Sequence, residues 1–250
     1  MKKCAFIPAR YQSSRFPGKP LAQIAGKPMI QRVYERAVAC PQLSDVYVAT
    51  DDKRISDCVK EFGGKAIMTD KSHRSGTDRI AQASLVIGLE QEDIIVNIQG
   101  DQPVFDPVVV SQLIEPLEED REISMTTLKH RISDQSNVQN PNHVKVVTDR
   151  QGFALYFSRH PIPYYRDSGT SDTRFKHLGF YGFRMGFLLR FTRLQEGVLE
   201  SAEKLEQLRA LEHGFRIKVV ETSFDSVEVD VPEDVAGVEE ALKLLPETKG

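Results

Sequence analysis

Long apolar runs are missing from this 250-residue chain: none approaches the ~20 residues that a membrane helix requires, so no spanning segment is expected. The apolar stretch behind Lys2 and Lys3 ends at Pro8 and Arg10, too short for the core of a signal sequence, and a cytoplasmic location is expected. Cysteine is scarce. Cys4, Cys40 and Cys58 are scattered, with no Cys-x-x-Cys pair and no neighbouring histidine at metal-ligand spacing, which predicts small core residues in a reducing compartment rather than reactive groups. No charge of one sign dominates: 33 Lys plus Arg against 36 Asp plus Glu gives a net charge of −3, which argues against nucleic-acid binding by a basic surface. Neither G-x-x-x-x-G-K-[ST] nor G-x-G-x-x-G occurs, so any phosphate chemistry is of another kind. There is no internal repeat and no low-complexity segment.

What is present is a cation-rich loop placed directly after an apolar strand. Cys4-Ala-Phe-Ile-Pro8 runs into Ala9-Arg-Tyr-Gln-Ser-Ser-Arg-Phe-Pro-Gly-Lys-Pro20. Arg10, Arg15 and Lys19 bring three cationic groups to one loop, Ser13 and Ser14 add hydroxyls, and backbone N–H groups between them suit anionic oxygens. The alternative is a solvated basic turn; three cations packed behind a buried-looking strand in a mildly acidic chain favour phosphate.

Apolar strand-like runs alternate with helical patterns through the first half, the signature of βαβ units and a mainly parallel sheet. After the first strand, Pro28 suits the first turn of a helix whose Met29, Ile30, Val33, Tyr34, Ala37 and Val38 share one face. Asp45 to Thr50 reads as a strand that stops at Asp51 and Asp52, a pair placed to open a helix, and Lys65 to Met68 as a short third strand. Asp93 to Gln99 is nearly all apolar, as at the buried centre of a parallel sheet, and delivers Gly100 and Asp101 to its carboxyl end, beside the basic loop. From His143 the pattern changes to a hairpin, Val144 to Val147 and Phe153 to Ser158, after a polar loop between Arg131 and Asn142. An irregular stretch from Pro161 to Thr173 precedes a strand from Lys176 to Phe183. A helix is expected from Glu200 to His213, late strands at Arg216 to Val220 and Val227 to Val229, and a last helix from Pro232 to about Leu244.

Asp101 and Asp230, each at the end of a strand, suit a divalent metal: three cations do not neutralise a triphosphate, and Mg²⁺ usually binds through one or two carboxylates plus substrate phosphates. Turn aspartates are the plain alternative, and the Asp51 and Asp52 pair competes for the role. Ser75 or Thr77 reads as a helix N-cap, with a second reading in which this segment and Arg79 meet a nucleotide base. Arg159 is placed to clamp a carboxylate in two-pronged fashion; a histidine at 177 and a glutamate at 206 are more often surface residues.

Eight segments in order resemble one family. Ile7 to Leu21, Gly26-Lys-Pro-Met29, Val48-Ala-Thr-Asp51, His73-Arg-Ser-Gly-Thr-Asp-Arg79, Asn97-Ile-Gln-Gly-Asp101, Ala154-Leu-Tyr-Phe-Ser-Arg159, Lys176-His-Leu-Gly179 and Leu205-Glu-Gln-Leu-Arg209 resemble the 3-deoxy-manno-octulosonate cytidylyltransferases, or CMP-Kdo synthetases. The resemblance implies an α/β nucleotidyltransferase fold of the glycosyltransferase-A type: a mainly parallel twisted sheet with helices on both faces, plus a smaller mixed sheet and hairpin subdomain. It implies one cytidylyltransferase domain over residues 1–250. Residues 1–130 would form the nucleotide half, 131–225 the sugar-binding and dimerisation part, and 226–250 the metal-site return and final helix. The implied reaction joins CTP to the sugar acid Kdo, with Mg²⁺, to give CMP-Kdo and pyrophosphate for lipopolysaccharide biosynthesis, in a homodimer. Pro8, Arg10, Ser14, Arg15 and Lys19 would hold the triphosphate and ribose end, and Ser75, Gly76 and Arg79 the cytosine. Gln99 would touch both substrates; Arg159, His177, Tyr181, Glu206 and Gln207 would bind the sugar acid. Asp101 and Asp230 would hold the metal, with Arg15 and Lys19 offsetting charge on the departing pyrophosphate.

Two segments depart from the common pattern, at three positions. Family members often carry Gly-Val-Asp-Thr-Pro-Glu-Asp where this chain has Glu228-Val-Asp-Val-Pro-Glu-Asp234, and Gln102 stands where a glutamate often follows the Gly-Asp pair. Both bear on the choice of sugar, because the family includes a branch that activates an 8-amino-8-deoxy Kdo, and such an amine asks for an acidic or amide partner. Besides that substrate, a nucleotide-binding module without turnover would be marked by loss of Lys19, Asp101 or Asp230, all present here. A sialic acid cytidylyltransferase would show Arg-x-Gly-Ser-Lys in the first loop, which is absent.

Overall fold

Alternate residues of the first strand enter two different cores. The computed structural model describes residues 1–12, 15–167 and 173–244, and in its strand β1 (Lys3–Ala9) the side chains of Ala5, Ile7 and Ala9 join one buried cluster while Cys4 and Phe6 join another. That two-residue period means a sheet covered on both faces. A two-residue hairpin, β2 (Gln23–Ile24) and β3 (Lys27–Pro28), leads to α1 (Met29–Val38), with Pro28 at the N-cap position rather than inside the first turn. Ile30, Val33 and Ala37 are buried on its inner face; Val38, expected with them, is 54% exposed. β4 (Asp45–Thr50) ends where expected, and the Asp52 carboxylate accepts the Arg54 N–H at 2.9 Å to cap α2 (Lys53–Glu61). β5 (Ala66–Met68), α3 (Gly76–Val86) and β6 (Ile94–Asn97) follow, and every residue of β6 is buried, as the centre of such a sheet requires.

The second half contributes α4 (Val108–Glu119), β7 (Met125–Arg131), the hairpin β8 (Lys145–Thr148) and β9 (Ala154–Ser158), and β10 (Phe175–Arg184). It closes with α5 (Met185–Phe191), α6 (Val198–Glu203), α7 (Leu208–Glu212), β11 (Lys218–Thr222) and α8 (Asp234–Leu244). The main sheet runs β11-β7-β10-β6-β1-β4-β5; six of these seven strands share one direction and β10 opposes them. β8 pairs with β10 through Lys145 and Lys176 and with β9 along the hairpin, forming the smaller antiparallel part. Helices α1, α2 and α4 cover one face, α3, α5 and α7 the other. A third cluster, Ile24, Met29, Val104, Val229 and Val238, seats α8 and the segment before it against the first helix.

Three expectations change. The helix expected from Glu200 to His213 is two short helices, because Lys204 adopts φ 53°, a left-handed backbone that ends α6. Glu206 and Gln207 therefore stand in the connecting turn. The strand expected at Val227 to Val229 is a single bridge from Val227 to Val104. The sequence pattern marks no element between residues 102 and 124, yet α4 lies there with Val109, Val110, Leu113, Ile114 and Leu117 buried; its opening run of three valines reads as strand, and tertiary burial overrides it.

Candidate active site

Two strand ends and the start of a helix meet at one side of the sheet. β1 ends beside Pro8, and two glycines let neighbouring segments touch it: a Cβ on Gly76 would come to 3.1 Å from the Pro8 ring, and one on Gly100 to 2.9 Å from the Pro8 carbonyl oxygen. The start of α3, the end of β6 and the basic loop are thereby packed together. The loop closes on itself through Gly18, whose N–H donates to the Tyr11 carbonyl at 2.8 Å with φ at 73°.

The three cations of the loop have separate partners. Arg10 donates to the His73 carbonyl at 2.7 Å, tying the loop to the segment before α3; burial, then the nearby Arg79 charge, lowers its pKa. Arg15 makes a two-pronged pair with Asp230, at 3.1 and 3.0 Å. Lys19 donates to Asp101 at 2.7 Å and to the Val229 carbonyl at 2.8 Å. The residue before Asp230 is tied to Asp101, since the Val229 N–H donates to the Asp101 backbone carbonyl at 2.9 Å. Arg15, Lys19, Asp101 and Asp230 thus come together as the sequence led us to expect; Ser14 lies outside the described residues.

Ser75 caps α3 in a reciprocal capping box with Asp78. Arg79, expected to face a base, is fully buried: its guanidinium donates to Asp51 at 2.9 Å and Thr69 at 2.5 Å, fastening α3 to the ends of β4 and β5. Arg159, expected to offer an open fork, donates instead to the carbonyls of Glu203 at 2.7 Å, Pro141 at 3.0 Å and Lys204 at 3.4 Å. Behind it the fully buried Lys145 donates to the carbonyls of Arg159 and Asn140, and burial lowers its pKa.

On β10 the strand bulges between Leu178 and Tyr181, and Gly179 there lies against Gln99 and Gln102. His177 faces the Thr127 hydroxyl at 2.9 Å and packs edge-on to Phe157, and burial, with help from the Lys176 charge, pushes its pKa down to about 3. The imidazole is neutral at physiological pH. Tyr181 stacks obliquely beside it, and burial together with the charges of Glu206 and Glu228 raises its pKa, so it stays a phenol. Glu206 accepts from the Thr77 hydroxyl at 2.5 Å, and burial raises its pKa. Around these side chains, Asn97 Oδ1, Gln102 Oε1, Glu206 Oε1 and Gln207 Nε2 are buried without a hydrogen-bond partner. Atoms of this kind suit hydrogen bonds to a polar ligand or to water, because a buried polar atom left unpaired costs stability. Sequence reasoning missed Thr77 as a partner of Glu206, and it noticed Glu228 only as a missing glycine. Arg15, His177, Glu228 and Asp230 line one cleft of about 420 Å³.

The cytidylyltransferase family matches residues 4–219. The chain belongs to that family. A 3-deoxy-manno-octulosonate cytidylyltransferase of Syntrophus aciditrophicus is 54% identical over 241 residues, 96% of this chain and 97% of that protein. An 8-amino-3,8-dideoxy-manno-octulosonate cytidylyltransferase of Shewanella pealeana is 53% identical over 237 residues, 94% of this chain and 96% of that protein. Among solved structures, a CMP:2-keto-3-deoxy-manno-octonic acid synthetase complexed with CTP superposes with a TM-score of 0.91 at 41% identity, covering 98% of this chain and 99% of that one.

In this cytidylyltransferase the carboxylate pair suits a hard divalent cation only in company. Among the described residues no group of three or more acidic, histidine or cysteine side chains is placed to hold a metal ion. Asp101 and Asp230 supply two carboxylates, and phosphate oxygens of a nucleotide would complete the set, which is how Mg²⁺ commonly binds. The residues fit that group.

Proposed function

We propose that this cytidylyltransferase joins CTP to the sugar acid Kdo, releasing pyrophosphate and forming CMP-Kdo. The observation that carries this reading is the pairing of Arg15 and Lys19 with Asp230 and Asp101 beside a cleft that Arg15 and Asp230 line together with His177 and Glu228, so that phosphate chemistry and a sugar-sized polar pocket adjoin. The likeness along nearly the whole chain to proteins named for that sugar acid supports it.

In the reaction the sugar's 2-hydroxyl oxygen bonds to the α-phosphorus while the bond from that phosphorus to the bridging oxygen breaks. The electron pair leaves with pyrophosphate, and the hydroxyl proton passes to water. Positioning and charge supply most of the acceleration, with no covalent nucleophile. Arg15 and Lys19, paired with carboxylates in the free protein, exchange those partners for the β- and γ-phosphates. Pro8 and Arg10 would border the ribose end. The start of α3, with Ser75 and Gly76, faces the base, and Arg79 fixes that segment from behind. Gln99, Tyr181, Glu206, Gln207 and the neutral His177 give the sugar's hydroxyls donors and acceptors, while Arg159 anchors the turn that carries Glu206. Asp101 and Asp230 would hold Mg²⁺, which supplies charge neutralisation at the phosphates when bound. Work as a homodimer in the cytoplasm belongs to the same proposal and rests on the family resemblance.

Pyrophosphate release from CTP, Mg²⁺ and a panel of sugar acids tests the reading. Release with Kdo supports it, and silence across the panel overturns it. A second substrate, the 8-amino form of the acid, is favoured by one contact in the cleft.

A further inference from the structure

Two of the positions at which this chain departs from the common family pattern, Gln102 and Glu228, touch each other. Gln102 Nε2 donates to Glu228 Oε1 at 2.8 Å, across the bridge that pairs residues 227 and 104. Gln102 is only 1% exposed, and its Oε1 has no partner. Glu228 opens into the cleft, and among the described residues no cation stands within ion-pair distance of it. Lys176, whose charge acts on Glu228, is committed to Asp225 at 2.8 Å and the Ser226 carbonyl at 3.3 Å. The corner is therefore rich in acceptors: one carboxylate with a free oxygen, one orphaned amide oxygen and the un-ionised Tyr181 close by.

A neutral hydroxyl would use one of these acceptors. A primary ammonium carries three N–H donors and a positive charge at neutral pH, and matches the whole corner. The spacing fits as well. Glu228 and Asp230 flank the buried Val229, and residues two apart in extended chain share a face and stand about 7 Å apart. That is about the reach of such a sugar acid from ring to tail, so one whose 2-hydroxyl lies by Asp230 can bring its far end to Glu228.

We propose that Gln102 and Glu228 form a subsite for a primary ammonium at the far end of the sugar acid, so that this cytidylyltransferase prefers the 8-amino-8-deoxy acid to Kdo. The inference rests on the function proposed above and decides between its two substrates.

The test compares kcat/KM for Kdo and the 8-amino acid, at saturating CTP and Mg²⁺, in the wild type, in Glu228→Gln and in the double variant Gln102→Glu with Glu228→Gly. The wild type is expected to favour the amino acid by about tenfold, the worth of one charge-assisted hydrogen bond, with the difference mainly in KM. Glu228→Gln, which keeps the shape and removes the charge, is expected to collapse that ratio to near one, and the double variant, which restores the common family residues at positions 102 and 228, is expected to favour Kdo. A competition between equal amounts of the two acids, read as the product ratio, uses wild-type protein alone and stands even if a variant fails to fold. A wild type that favours Kdo, or a Glu228→Gln variant whose ratio is unchanged, overturns the inference and leaves the cytidylyl transfer standing. No pyrophosphate from either acid overturns the transfer itself.

Discussion

Lys19 and Asp101 meet across 82 residues of chain, and Arg15 and Asp230 across 215, yet neither pair is buried enough to serve stability well. Half-exposed pairs of this kind contribute about 1 kcal/mol or less. Their retention makes sense as charge kept ready for a ligand. Asp101→Ala and Asp230→Ala are each expected to lower kcat by about 10³-fold or more while moving the urea midpoint little, since the groups act on charge developing during transfer. Pyrophosphate release at saturating Mg²⁺ checks this, and near-native rates would remove the two carboxylates from the mechanism.

His177 makes a second prediction at the same scale. Its pKa is about 3 in the folded protein against 6.5 for an ordinary histidine, because burial disfavours the imidazolium. Between those values the unfolded chain binds a proton that the folded protein refuses, so stability is full above pH 6.5 and falls as pH drops towards 3. The upper part of that window, above about pH 5, is nearly free of carboxylate titration. Urea midpoints at pH 7 and pH 5 are expected to differ more in the wild type than in His177→Asn, and an equal difference would show that the ring is not held neutral.

At the scale of elements, the joint between β1 and β6 is set by Gly100. An alanine there places its Cβ 2.9 Å from the Pro8 carbonyl, which is backbone and yields only if the strand end moves. Gly100→Ala is expected to cost about 1–3 kcal/mol and to reduce turnover beyond what that loss explains, because the shift separates Asp101 from the basic loop. Melting and pyrophosphate assays on one preparation check both halves.

The elements that the sequence announced are those whose local chemistry and burial agree. β1, β4 and β6 carry apolar runs ended by polar residues, and α3 carries its capping box in plain view. α4 was hidden by valines whose strand preference is overruled by packing, and the break at Lys204 was hidden because nothing in Glu-Lys-Leu marks a left-handed residue. In the site, Arg15, Lys19, Asp101 and Asp230 were legible because charge gathered at strand ends does little for a fold and much for an anionic ligand. Arg79 and Arg159 were legible as important but not in their tasks, since a guanidinium that braces carbonyls or a buried carboxylate looks the same in sequence as one that meets a ligand. The Gln102 and Glu228 contact joins positions 126 apart, which no local pattern reveals.

For the whole molecule, binding and folding are coupled through this one edge of the sheet. In the proposed function CTP with Mg²⁺ would contact the loop, α3 and the carboxylate pair at once, and so would stabilise only the assembled fold. At a concentration 100 times its Kd it is expected to add about 2.7 kcal/mol, which for a chain of this length raises the Tm by roughly 5–10 °C. A Tm unmoved by CTP and Mg²⁺ would place the nucleotide elsewhere.

Val229 has a consequence for when the protein becomes active. It plugs the third apolar cluster, receives Lys19 on its carbonyl and hangs Asp230 opposite Arg15. The segment that does this follows the last strand of the sheet, so a chain growing from the ribosome, or one clipped near its carboxyl terminus, carries every sheet strand through β11 and still lacks one wall of the site. A shortened form of this chain that ends before Val229 is expected to transfer no nucleotide, which pyrophosphate release checks.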